Sequence, residues 1–133
     1  MLSAEEIDAL VLLAATARGR AYAPYSRFRV GAAVVAGDGT VYAGCNVECA
    51  SYGLSLCAER AAIAQAVAAG STRIRALVVV SEAGAEGTPC GACRQWLAEL
   101  GQDDLEVICA TPNGERRRYR LADLLPHPFR LAP

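Results

Sequence analysis

The chain contains no lysine, and its one histidine, His127, stands between Pro126 and Pro128 near the end. The first absence excludes Schiff-base chemistry on a lysine. The second excludes triads and metal sites built from several histidines. Apart from His127 every basic residue is therefore an arginine, and 13 of them against 14 acids leave a net charge of -1. Nucleic acid is not expected as a partner, because surfaces that bind it are basic. The one local exception, "RRR" at 116–118, reads as a solvated strand edge. No apolar run approaches the ~20 residues of a membrane span, so no membrane partner is expected. The first residues, "MLSAEEIDALVLLAATA", carry acids where a secretory signal carries positive charge. A cytoplasmic location follows as the expectation. There the 6 cysteines stay reduced and serve metal binding or catalysis rather than disulfides.

At 133 residues the chain is expected to form one domain, 1–133, with a core of its own. Ser3 and Glu6 form a capping box ahead of Ile7, Leu10, Val11, Ala14 and Ala17 at helical spacing. Strands are predicted over 28–36 and 40–46, joined by the "GDG" turn. A helix follows over 57–69, stopped by Gly70, then a strand over 73–81 apolar enough to be buried on both faces. A second helix over 90–100, a strand over 105–111, a fifth strand in "RRRYRL" and a short helix in "ADLLP" complete the order. That order calls for an α/β fold, a mixed sheet with helices on both faces. If the crossovers between strands are parallel, both helices start at the C-terminal edge of the sheet.

Cys57 opens the first of those helices, and Cys90 and Cys93 lie at the start of the second. Three thiols distant in sequence thus converge, and three ligands with a fourth tetrahedral position open to water mark a catalytic zinc site. Helix N-termini favour thiolate over thiol. Three thiolates on Zn²⁺ leave a net negative charge, which Arg60 and Arg94, each just past a ligand, are placed to offset. Glu59, two residues after a ligand, is placed to take a proton from water and pass it on. A C-x-x-C alone also fits a redox pair or half of a structural zinc site, but an interaction protein of that kind has no use for Cys57 or Glu59. Of the remaining cysteines, Cys109 is expected in the core, Cys45 at a strand end and Cys49 as a small buried thiol.

"CAER" (57–60) and "PCGACRQ" (89–95) fit the general zinc-deaminase pattern. With "APYSRFRVGAA" (23–33), "GCNVE" (44–48) and "ASYGL" (50–54), the chain closely resembles the small homotetrameric cytidine deaminases of pyrimidine salvage. The resemblance implies a three-layer α/β/α sandwich on a mixed five-stranded sheet. It also implies one Zn²⁺ per subunit and hydrolysis of cytidine and deoxycytidine to uridine and deoxyuridine plus ammonia. Cys57, Cys90 and Cys93 match the zinc ligands, Glu59 the proton shuttle, and Arg60 an arginine that hydrogen-bonds a ligand sulfur. Asn46 and Glu48 match a pair on the ribose 3′-hydroxyl, and Phe28 matches a ring beside the base. Ala58 and Thr88 would act through their backbones, and Tyr52 and Phe129 match residues that complete active sites across subunits. The family has asparagine where this chain has Cys49. Blasticidin S deaminases share the ligand motifs and the fold; Asn46 and Glu48, a ribose-binding pair not expected in that group, favour cytidine instead.

Overall fold

The structure is a computed structural model that describes the backbone of residues 1–133 and every side chain except those of residues 102 and 103. The elements are α1 (Ala4–Arg18), β1 (Gly31–Ala36), β2 (Val41–Cys45), α2 (Ala58–Ala68), β3 (Ile74–Val80), α3 (Gly91–Leu100), β4 (Gly101–Ala110), β5 (Arg116–Arg120) and α4 (Leu121–Leu124). Five strands form one sheet in the order β2-β1-β3-β4-β5. β1 is antiparallel to both β2 and β3, β3 is parallel to β4, and β4 is antiparallel to β5. β2 and β3 therefore run the same way with β1 between them. Both helical crossovers start at one edge of the sheet, as the order of elements predicts. No described helix is long and apolar enough to cross a membrane.

Alternation along the strands divides the core into two sides. Ala33, Val35, Ala76, Val78 and Ile108 pack with Ile7, Leu10, Val11 and Ala14 of α1 on one face. Ala32, Val34, Leu77, Val79 and Val107 pack with α2, α3 and α4 on the other. The fold is the expected mixed α/β/α sandwich, and β3, covered on both sides, is buried at every position but Arg75.

Two predicted boundaries move. The first strand starts at Gly31 rather than Phe28, because side chains occupy the backbone ahead of it. Asn46 Oδ1 accepts from Val30 N at 2.8 Å and Asn46 Nδ2 donates to Phe28 O at 2.9 Å. The fourth strand starts at Gly101, which pairs with Ile74 before the register shifts to Ala76 with Glu106.

Glycine sets how close α2 comes to the sheet. A Cβ on Gly44 would lie 2.5 Å from Ala62 N and 2.8 Å from Ala58 O, so this helix rests backbone to backbone on β2. Gly44→Ala should destabilise the fold by about 1–3 kcal/mol, the usual cost of overpacking, and lower the melting temperature by several degrees. Gly53→Ala, with no atom within 4 Å of its Cβ, is the control that should melt as the native chain does. Equal melting points for the two variants would contradict this packing. At the edge of the sheet away from the helix starts lie the hairpin turn at 37–40 and the turn after α2, joined by a bond from Gly37 N to Arg73 O of 2.9 Å.

Candidate active site

Two helix starts face each other at the C-terminal edge of β3. Cys57 is the N-cap of α2 and Cys90 the N-cap of α3, both with extended backbone and neither with a side-chain capping bond. Serine, threonine or aspartate at such a position stabilises a helix by about 1 kcal/mol, so the sequence gives up two caps here and leaves the sulfurs free for another partner. Cys93, buried in the first turn of α3, completes the set.

The sulfurs of Cys57 and Cys90 are 3.7 Å apart, those of Cys90 and Cys93 3.5 Å, and all three lie within 4.8 Å of one another. Zinc bonds of about 2.3 Å to tetrahedrally placed sulfurs require separations of about 3.8 Å, so the spacing fits that ion. The electrostatics fit as well. Hydrogen bonding from the Cys93 thiol, aided by the Arg60 guanidinium at 3.4 Å from the Cys57 sulfur, pulls Cys57 down to about 5 against the effect of burial. The bond to Cys57, burial and the nearby Glu59 push Cys93 far up. One thiolate thus forms easily while its neighbour keeps a proton, and only a cation at the centre would let all three ionise together.

Glu59 is one of two buried polar residues among those described, 5% exposed. Burial pushes its carboxyl up to about 7; the Cys57 sulfur acts in the same direction and Arg60 opposes it. A carboxyl poised near neutrality both takes up and releases protons in ordinary buffer.

A cavity of about 550 Å³ opens over these groups. Its wall includes Glu59, Cys57 and Cys90 at the floor, with Ala58 and Thr88 beside them. Ala58 supplies the first N–H of α2, a donor with no partner inside the helix. Phe28, Asn46, Glu48 and Tyr52 also line the cavity. The Tyr52 ring stands edge-on to Tyr25 with centroids 6.1 Å apart. Glu48 accepts from the backbone N–H groups of Tyr25 and Ser26 at 3.0 and 3.1 Å and from the Ser26 hydroxyl. The Ser26 bond is the main reason its carboxyl lies below the usual range.

Among the described residues, two expected ones bond none of the three sulfurs and stand outside this chain's own cavity wall. Phe129 is 70% exposed and lies outside the cavity; its backbone N–H and C=O are held by the side-chain amide of Gln95. Arg94 hydrogen-bonds none of the three sulfurs among the described residues. Its guanidinium donates to Pro89 O, Leu124 O and Thr88 Oγ1 at 2.7, 2.7 and 3.0 Å. Where offsetting of sulfur charge was expected, Arg94 instead ties the segment leading into Cys90 to the end of α4. Arg60 alone makes the sulfur contact. The reading from sequence also missed Ser26 and Ser81, both in the cavity wall. Ser81 carried a faint signal, a hydroxyl directly after a run of valines, and is 2% exposed. Cys109 is buried in β4 as expected, and burial pushes its thiol up to about 12. Cys49 is only half-buried.

Three converging thiols and a buried carboxylate under one cavity of a mixed α/β/α sandwich make up a zinc-binding hydrolytic site. The family described as "cytidine and deoxycytidylate deaminase zinc-binding region" matches residues 4–110. A cytidine deaminase of Halalkalibacterium halodurans is 44% identical over 120 residues, 90% of this chain and 91% of the relative. One of Sporosarcina psychrophila is 41% identical over 124 residues, 93% of this chain and 91% of the relative. The crystal structure of a cytidine deaminase from Burkholderia pseudomallei superposes with a TM-score of 0.86 at 51% identity, covering 92% of this chain and 98% of that one. This chain belongs to the cytidine and deoxycytidylate deaminase family.

Proposed function

We propose that this chain, as a single catalytic domain, hydrolyses cytidine and deoxycytidine to uridine and deoxyuridine with release of ammonia. The observation that carries the reading is Glu59, buried beside three sulfurs spaced for zinc at the floor of a nucleoside-sized cavity. The ion that Cys57, Cys90 and Cys93 would hold, one per subunit, supplies Lewis acidity at that floor. Arg60 offsets part of the sulfur charge through its bond to Cys57. Glu59 takes a proton from the water that adds to C4 of the base and delivers it to N3. The hydroxyl now on C4 then gives its proton through the same carboxyl to the departing amino group as the C4 carbonyl forms and the C–N bond breaks, so Glu59 ends in its starting state. Water and cytidine become uridine and ammonia with no net change in the enzyme.

Two carboxylates, Glu48 and Glu59, line the cavity, and no arginine or histidine does among the described residues. That wall suits a neutral nucleoside and repels a 5′-phosphate. Asn46 and Glu48 are assigned to the sugar, Phe28 to the face of the base, and the backbones of Ala58 and Thr88 to its polar edge. Tyr25 and Tyr52, both in the cavity wall, are exposed and give it an apolar rim, and Tyr22, Leu54 and Phe129 are exposed as well. This apolar rim supports a homotetramer in which Tyr52 and Phe129 complete neighbouring sites. A role in cytoplasmic pyrimidine salvage follows from the substrate assigned.

The test is loss of the 4-amino chromophore when zinc-loaded protein meets cytidine, deoxycytidine, cytidine 5′-monophosphate and blasticidin S in turn. Turnover of the two nucleosides alone is expected; turnover of the monophosphate or of blasticidin S alone overturns the substrate assignment. Glu48→Ala should raise KM for cytidine by about 10- to 100-fold, the loss of a charge-assisted hydrogen bond. An unchanged KM would remove Glu48 from the sugar site.

A further inference from the structure

The segment between α1 and β1 folds around one side chain that the proposed function does not use. The Ser26 hydroxyl donates to Glu48 Oε2 and accepts from Phe28 N at 3.0 Å. Phe28 is held from its other side as well, its carbonyl accepting from Asn46 Nδ2 at 2.9 Å. Between them, Arg27 sits at φ 59, the only described non-glycine residue in the left-handed region. An L-residue leaves that conformation unless neighbouring contacts hold it. Here both neighbours in the chain are bonded to the two residues assigned to the sugar.

We infer that Ser26 is a positioning residue that couples the sugar-binding carboxylate of Glu48 to the Phe28 ring beside the base. One hydroxyl serves both: its hydrogen fixes a carboxylate oxygen and its lone pair fixes the backbone of the ring residue. Without the hydroxyl, the Glu48 carboxylate keeps only the two N–H bonds to Oε1, Oε2 is free to swing, and the Arg27 turn loses one of its ties while keeping Arg27 N to Ala23 O at 3.0 Å. The sugar contact and the base contact then lose their common frame. The inference rests on the assignment of Glu48 to the sugar.

A serine that merely stabilises a loop would affect melting temperature and leave sugar discrimination alone, so the test reads discrimination. Zinc-loaded native protein, Ser26→Ala, Glu48→Ala and the double variant are compared on cytidine and 3′-deoxycytidine, with zinc content measured for each. Ser26→Ala should raise KM for cytidine by about tenfold, as loss of a hydrogen bond to a charged group implies, with kcat and zinc content near native. Its preference for cytidine over 3′-deoxycytidine should shrink, and the double variant should be no worse than Glu48→Ala alone. Ser26→Thr, which keeps the hydroxyl, should restore both readouts. If Ser26→Ala does not fold, Ser26→Cys, close in size but a weak donor, carries the same expectations. Native discrimination in Ser26→Ala while Glu48→Ala loses it overturns the inference alone, as do additive effects in the double variant. Native KM and discrimination in Glu48→Ala overturn the sugar assignment and the inference together.

Discussion

Glu59→Gln is expected to bind zinc and cytidine as the native chain does, yet lose about 10²- to 10⁴-fold in kcat, the usual share of a general acid–base group. Glutamine matches the carboxyl in shape but cannot carry a proton from water to the base. The split between retained binding and lost turnover separates this role from a structural one. Zinc content, KM and kcat measured together decide it; a kcat within a few-fold of native would end the assignment. Stability should move the other way. Burial raises the Glu59 carboxyl from 4.5 to about 7. A group with a higher pKa in the fold binds its proton more tightly when folded, so its contribution to stability is lost as pH rises from about 4.5 through about 7. Glutamine removes that slope, so metal-free Glu59→Gln should melt at or above the metal-free native chain at pH 8.

Cys93→Ala should abolish stoichiometric zinc binding and reduce turnover to background. Two ligands remain, Cys57 at half burial and the exposed Cys90, and neither is enclosed as Cys93 is. Loss of the ion also removes its linked stabilisation. At a free zinc concentration 1,000 times Kd that is about 4 kcal/mol, which for a chain of this size is on the order of 10 °C in Tm. Strong chelation of the native protein should reproduce most of the shift, and Cys93→Ala should show no further response to chelator. The fold itself should survive, because its two core layers are formed by α1, α2, α3 and α4 against the sheet without the metal. Metal analysis with calorimetry tests this. A Cys93→Ala protein that keeps its zinc and activity would exclude the three-sulfur site.

What could be read from the sequence was what repeats or is spaced along the chain. Apolar periodicity gives α1 and the strands, and the order of elements brings Cys57 and Cys90 to one edge. The spacing of Cys90 and Cys93 within one helical turn gives the third sulfur, and Glu59 follows from its place beside Cys57. What escaped was decided by side chains acting on distant backbone. The start of β1 depends on the amide of Asn46, 16 residues from Val30. The direction of Arg94 depends on carbonyls at 89 and 124, and a guanidinium one residue past a ligand looks the same in sequence whichever way it turns. Ser26 is a common turn residue with no spacing signal at all; only the folded segment shows it between Glu48 and Phe28.

The turns at the sheet's far edge have a practical consequence. Every assigned catalytic and substrate group on the strands, the helix starts and the segment before β1 lies at the opposite end, so length added beyond Ala36 does not pass through the site. Asp38 and Gly39 are exposed at the tip of the β1–β2 hairpin. A peptide tag or a small domain spliced there meets solvent rather than substrate, which makes that tip the natural place to attach or immobilise the enzyme.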